Sequence, residues 1–202
     1  MTRVAFFISG TGGNALNLLT ACRKGAVPAE PVLAISSSAS ALGVERLRAA
    51  GLKVVVVERK SFTSDESFSD ECFSHCEKRS VDIVCLCGFL KKLSIPDKWM
   101  GKVLNIHPGP LPQFGGAGMY GHFVHEAVLA AGATTSGATV HLADNEYDHG
   151  QILAFQPVPV LKGDTPETLQ KRVYEAEMSL YPMALRDYIV NHYHEGNTSC
   201  KN

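Results

Sequence analysis

The sequence lacks an excess of charge of either sign, with 19 Lys and Arg against 20 Asp and Glu. Bulk electrostatics of that kind favour neither nucleic acid nor an anionic membrane surface, so no nucleic-acid partner is expected and an anionic ligand needs a local site. Long hydrophobic runs are also missing. The apolar start, VAFFI (residues 4–8), breaks at Ser9 and Gly10, too early for a signal peptide. No stretch approaches the roughly 20 apolar residues of a membrane span, so a cytoplasmic chain without a membrane partner is expected. Cysteine is present but scattered: Cys22, Cys72, Cys76, Cys85, Cys87 and Cys200 do not form the dense framework of a small secreted scaffold. Cys72 and Cys76 stand one helical turn apart beside His75, but no second ligand pair follows at zinc spacing, and no metal is expected. Repeats, low-complexity segments and linkers are absent too. The 202 residues suit one domain spanning 1–202, with a frayed tail after about residue 192.

What is there is a run of short Val- and Ile-rich segments separated by helical patterns: VAFFI (4–8), VLAIS (32–36), VVVV (54–57), VDIVCL (81–86) and VLNI (103–106). Near-continuous apolar strands suit a parallel sheet buried on both faces. Between them, ALGVERLRAAG (41–51) can turn Leu42, Val44, Leu47 and Ala50 to a core while Glu45, Arg46 and Arg48 meet water. The alternation predicts an α/β, doubly wound, Rossmann-like fold, its mostly parallel sheet carrying helices on both faces. After residue 133 two strand-like segments, 136–143 and 151–160, bracket the connection DNEYDHG, which predicts antiparallel strands toward the C-terminal part. A long helix should then begin with Thr165 as N-cap and Pro166 in its first turn, with a kink or restart at Pro182.

Two stretches carry chemistry. SGTGGNA (9–15) follows the first strand and opens the first helix, where unpaired N–H groups and glycines make a phosphate site. Gly10, Gly12 and Ala15 also fit a dinucleotide pattern, but ISSSAS after the second strand offers no acid for a ribose, and no Gly-Lys-[Ser/Thr] follows. A phosphomonoester site is the preferred reading, and a plain tight turn is the alternative. The second stretch is VLNIHPGPLP (103–112). Asn105 and His107, two apart on a strand, share a face at the carboxyl end of the sheet. An amide and an imidazole there can stabilise a developing oxyanion, with Asp148 of YDHG within reach to keep the imidazole charged. Alone, the pair reads equally as a strand end satisfying backbone groups.

The pair is not alone. The segments VAFFISGTGGN, GFLKKLS (88–94), NIHPGPLP (105–112), GATVHLADNEYDHGQIL (137–153) and GDTPETL through YP (163–182) resemble the folate-dependent formyltransferases over nearly the whole chain. The resemblance implies transfer of the formyl group of 10-formyltetrahydrofolate, a co-substrate, to the amine of glycinamide ribonucleotide in purine synthesis, by a monomer or weak homodimer. It implies catalytic roles for Asn105, His107 and Asp148. By the same resemblance Gly12, Gly13 and Asn14 form the phosphate loop, and Glu177 holds the substrate amine; on a charged helix, the bland alternative for Glu177 is a solvated face. Phe89, Leu90, Lys91, Leu93, Leu142, Ala143 and Asp144 fall in the implied folate pocket, where the apolar ones read equally as core.

The chain departs from the family pattern in places. HPGPLP stands for HPSLLP, and the following Gly-rich stretch is longer than the common version. Asp65 and Lys91 stand where many relatives carry Arg, which bears on the grip on a folate carboxylate, since only Arg forks onto one. His122 and His125 read as surface or helix residues rather than catalysts. Two rivals share the Asn, His and Asp features: methionyl-tRNA formyltransferases, which add a basic C-terminal domain, and formyltetrahydrofolate hydrolases, which add an N-terminal regulatory one. From another class, a non-catalytic nucleotide-binding module stays open.

Overall fold

The computed structural model describes the backbone of residues 1–193 and side chains to residue 191; the expected frayed tail and Cys200 lie almost wholly outside the described residues. Its seven-stranded sheet runs in the order β3-β2-β1-β4-β5-β6-β7. The strands are β1 (Thr2–Ile8), β2 (Ala29–Ser36), β3 (Val54–Val56), β4 (Ile83–Leu86), β5 (Val103–His107), β6 (Thr135–Leu142) and β7 (Ile152–Pro159). The first five are parallel, and β6 and β7 join antiparallel. The helices are α1 (Gly13–Arg23), α2 (Leu42–Ala49), α3 (Asp65–Glu77), α4 (His122–Ala130) and α5 (Pro166–Tyr188).

Strand alternation divides the core in two. Val4, Phe6 and Ile8 join the larger cluster with α1, α2, α4 and α5, whereas Ala5 and Phe7 join the smaller one with α3 and Trp99. Pro31 sits inside β2 without breaking it, because β3 pairs only with Ala34–Ser36 and leaves β2 an open edge there. The β1–β2 register shifts at this point, between Val4 and Ala5. On α2, Val44 and Leu47 are buried but Leu42 is exposed, against expectation. Gly43 is buried instead, its N–H donating to Gly10 O at 3.0 Å, so the start of the helix docks by backbone.

Of the kink or restart expected at Pro182, the restart does not occur. α5 runs unbroken for 23 residues from a capping box at Thr165 and Thr168. A proline leaves the carbonyl four residues earlier without its helical donor. That carbonyl, Met178 O, instead accepts from Asn17 Nδ2 of α1 at 2.7 Å. A side chain from a neighbouring helix thus restores the missing bond and ties α1 to α5.

Candidate active site

The strand order reverses between β1 and β4, the point where an open α/β sheet offers a crevice at its carboxyl ends. A cavity of about 700 Å³ opens there. The loop after β1 forms one end. Gly12 caps α1 in a left-handed conformation, φ 71°, with no side-chain cap, so the first N–H groups of the helix stay unpaired by side chains. A Cβ on Gly12 would also lie 3.0 Å from Gly43 Cα, and one on Gly13 would lie 2.2 Å from the Tyr174 hydroxyl. Asn14 Nδ2 donates to Glu177 Oε2 at 2.8 Å, whereas Asn14 Oδ1 is buried with no partner among the described residues. Glu177 does not lie on a solvated face: it is 7% exposed. Burial pushes its carboxyl up to about 7, against the Asn14 bond and the nearby His107.

The floor is built where β5 meets β6. Asn105 pairs with His141 and His107 with Thr139 across that antiparallel ladder. His107 Nε2 lies 2.8 Å from Phe114 O. A carbonyl only accepts, so the proton sits on Nε2 and leaves Nδ1 facing Asp148 Oδ2 at 3.4 Å. His141 is arranged alike: Nδ1 donates to Leu142 O at 2.9 Å, and Nε2 faces Asp148 Oδ1 at 3.5 Å. Asn105 Nδ2 lies 3.0 Å from His141 Nε2 and 3.4 Å from Asp148 Oδ1. One carboxylate therefore stands between two imidazoles, each with its other nitrogen pinned to a backbone carbonyl.

Asp148 is fixed by its backbone. It adopts φ 54°, a region that Asp tolerates better than most residues, and Oδ2 accepts from Gly116 N–H at 3.1 Å. Gly150 lets the chain fold back, since a Cβ there would stand 1.9 Å from Leu142 O. Burial pushes the Asp148 carboxyl up, but the His107 and His141 rings beside it and the Gly116 N–H prevail and hold it well below the usual carboxylate range.

His141 is the member of this group that sequence reasoning missed. Alternation in SGATVHLA places it on the face of Thr139, but only the β5–β6 register puts it opposite Asn105. His125 lies on helix α4, within the expected alternatives of surface or helix, and is buried and lines the cavity. Burial, with His122 and His107 adding, pushes it down to about 4, so it is neutral at physiological pH. His122 is exposed and pairs with Glu126 at 3.0 Å.

The other end of the cavity is apolar. Phe89, Leu90, Lys91 and Leu93 line it, with Phe89 packed parallel to Phe68 at 6.1 Å. Ala143 and Asp144 line it as well, Asp144 pairing with His149 at 2.8 Å. Leu142 does not line it: alternation after His141 turns its side chain to the larger core cluster on the opposite face. Asp65 opens α3 and is engaged by Arg59 Nε at 2.6 Å. Cys72 and Cys76 are fully buried, and burial pushes the Cys72 thiol up to about 12, while His75 pairs with Glu71. Among the described residues no group of three or more His, Cys, Asp or Glu side chains is arranged to hold a metal ion, and no described helix is long and apolar enough to cross a membrane.

A loop with free N–H groups, a buried acid and an Asn-His-Asp floor on this sheet together define a group-transfer site, and the formyl transferase family model matches residues 2–185. The chain belongs to the formyl transferase family. Within that family it is similar to phosphoribosylglycinamide formyltransferases. That of Haemophilus influenzae is 32% identical over 188 residues, covering 92% of this chain and 86% of the relative. The crystal structure of that of Brucella melitensis is 42% identical with a TM-score of 0.84, covering 93% of this chain and 95% of the other. Glycinamide ribonucleotide transformylase 1 from Symbiobacterium toebii superposes with a TM-score of 0.86 at 34% identity, covering 92% and 86% of the two chains. The trifunctional purine biosynthetic protein adenosine-3 of Bos taurus is 42% identical over 91% of this chain, but the chain spans only 18% of that protein's length.

Proposed function

We propose that this chain transfers the formyl group of 10-formyltetrahydrofolate to the amine of glycinamide ribonucleotide. The observation that carries this reading is the convergence on one cavity of the glycine loop, buried Glu177 and the floor of Asn105, His107, His141 and Asp148. The loop suits the ribose phosphate, Glu177 suits the amine, and the Phe89–Leu93 wall with Ala143 and Asp144 suits the pterin.

In the reaction the amine nitrogen bonds to the formyl carbon, and the formyl oxygen becomes an oxyanion facing the Asn105 amide and the His107 imidazole. The amine then loses a proton, the bond from carbon to N10 breaks, and N10 gains a proton. The two imidazoles around Asp148 suit that exchange. A proton arriving on either ring would lie against the Asp148 carboxylate, at 3.4 Å from His107 and 3.5 Å from His141. Oxyanion stabilisation and positioned proton transfer are each worth on the order of several kcal/mol of barrier.

The same floor would serve formyl transfer to water, but Glu177 and the glycine loop favour an amine on a phosphorylated sugar as acceptor. The test is the spectroscopic loss of 10-formyltetrahydrofolate with and without glycinamide ribonucleotide. Loss that requires the ribonucleotide is expected. Equal loss in its absence would replace the transferase by a hydrolase, and no loss in either case would reject both.

A further inference from the structure

Helix α4 buries Val124, His125 and Val128. The two valines join the larger core cluster, so an imidazole stands on an otherwise apolar buried face. The helix lies directly behind the strand end that carries His107: a Cβ on Gly109 would stand 2.6 Å from Val124 Cγ1 and 3.2 Å from His107 Nε2. His125 is 1% exposed and lines the cavity, and among the described residues its ring makes no hydrogen bond, Nδ1 being buried without a partner. An unpaired buried polar group costs stability, and folded proteins contain few of them. A side chain kept for packing alone would be better supplied by a third aliphatic residue.

The other two imidazoles of the cavity differ in this respect. His107 and His141 each have one nitrogen against a backbone carbonyl and the other facing Asp148. His125 has neither anchor. Burial keeps its ring neutral, so it offers one N–H donor and one bare nitrogen acceptor. Such a ring suits an uncharged polar group, a hydroxyl or an amide, rather than a phosphate or a carboxylate. The sheet face decides which substrate carries that group. Helix α4 shares the larger cluster with α1 and α5, which hold the glycine loop and Glu177, whereas Leu93 and Phe89 of the apolar wall pack with the smaller cluster on the opposite face. His125 therefore stands on the acceptor's side of the cavity.

We infer that His125 is a binding residue for the acceptor, its open nitrogens taking a hydrogen bond with an uncharged polar group of the ribosyl-glycinamide portion, a ribose hydroxyl or the amide. The inference rests on the function proposed above and adds α4 to the elements that seat the acceptor. The ring has no part in the proton exchange, which belongs to the two imidazoles around Asp148. Its nitrogens go unpaired in the empty protein and are satisfied when the acceptor enters.

The test compares wild type with His125→Phe, which keeps a ring and removes both nitrogens, and His125→Gln, which keeps a donor and an acceptor. His125→Phe should weaken the calorimetric affinity for glycinamide ribonucleotide, and raise its KM, about tenfold, the upper range for one hydrogen bond, and His125→Gln should recover part of that. The loss should fall on the ribonucleotide rather than on kcat or on the KM for 10-formyltetrahydrofolate. Analogues lacking one ribose hydroxyl locate the bond: wild type and His125→Phe should bind alike the analogue that lacks the partner, and a gap that persists for every deoxy analogue assigns the amide. In the empty protein, removing two unpaired nitrogens should raise Tm by about 2 to 4 °C. Equal ribonucleotide affinity in the three proteins would overturn the assignment, as would a lower Tm with losses spread evenly over both substrates, the mark of a structural histidine. Nitrogen NMR of the wild-type imidazoles does not depend on how His125→Phe folds. The His125 signals, assigned by their absence from His125→Gln, should move with the ribonucleotide and not with tetrahydrofolate alone, and signals unmoved by the ribonucleotide would overturn the assignment. A wild type whose His125 reports the ribonucleotide but which transfers no formyl group would sink the proposed reaction and leave this site standing.

Discussion

Replacing Glu177 by Gln should flatten the pH dependence of stability while weakening the acceptor. The carboxyl is 7% exposed and accepts one bond from Asn14 Nδ2 at 2.8 Å. Burial raises its pKa from an ordinary 4.5 to about 7, so the folded protein holds this proton more tightly than the unfolded chain does. The stabilisation is therefore fully present below about pH 4.5 and is lost as the pH rises through about 7. At about 1.4 kcal/mol for each tenfold change, the loss is capped near 3 kcal/mol, most of it falling between about pH 5 and about pH 8. Gln has the same shape, stays neutral throughout, and keeps an oxygen for the Asn14 bond. Its new N–H groups add a fixed cost, so the slope rather than the offset carries the test. Urea denaturation at several pH values should show the difference between the two proteins moving by on the order of 2 to 3 kcal/mol in favour of Gln as the pH rises. Parallel curves would refute the reasoning, because they would mean that Glu177 ionises like a solvated carboxylate.

Asp148→Asn keeps the shape between His107 and His141 but removes the negative charge that both rings face; turnover should fall by roughly two or more orders of magnitude with little change in ligand affinity by calorimetry. Combined with His107→Asn, the losses should be strongly non-additive, and strictly additive losses would show that the two residues do not act as a unit. Asn17→Ala should cost about 1 to 2 kcal/mol in chemical denaturation by stripping the Met178 carbonyl of its donor. Adding Pro182→Ala should recover much of that, since Ala supplies the helical N–H; no recovery would mean that Asn17 acts by packing alone.

The strands, their order of appearance and the glycine turn were legible in the sequence because they are local. Apolar runs such as VAFFI and VLNI match a period that any buried strand must obey, and SGTGGN carries the conformational freedom that a tight strand-to-helix turn demands. The spacing of Asn105 and His107 likewise put both on one face before any partner was known. What only the tertiary structure decided are the relations across the chain. The β5–β6 register brought His141 to Asn105 and made Asp148 a carboxylate shared by two imidazoles, and no spacing encodes a register between residues 36 positions apart. Leu142 turned away from the cavity, because a one-residue step along a strand reverses the face. Pro182 is a breaker in any local reading, yet Asn17, 161 residues from Met178, supplies the bond it removes. Glu177 reads as one charge among several on a surface helix, and burial against Asn14 is what turns it into an acid near neutrality. Local physics determines what each segment is; which polar groups face each other in a dry cavity depends on packing, and that is where the chemistry resides.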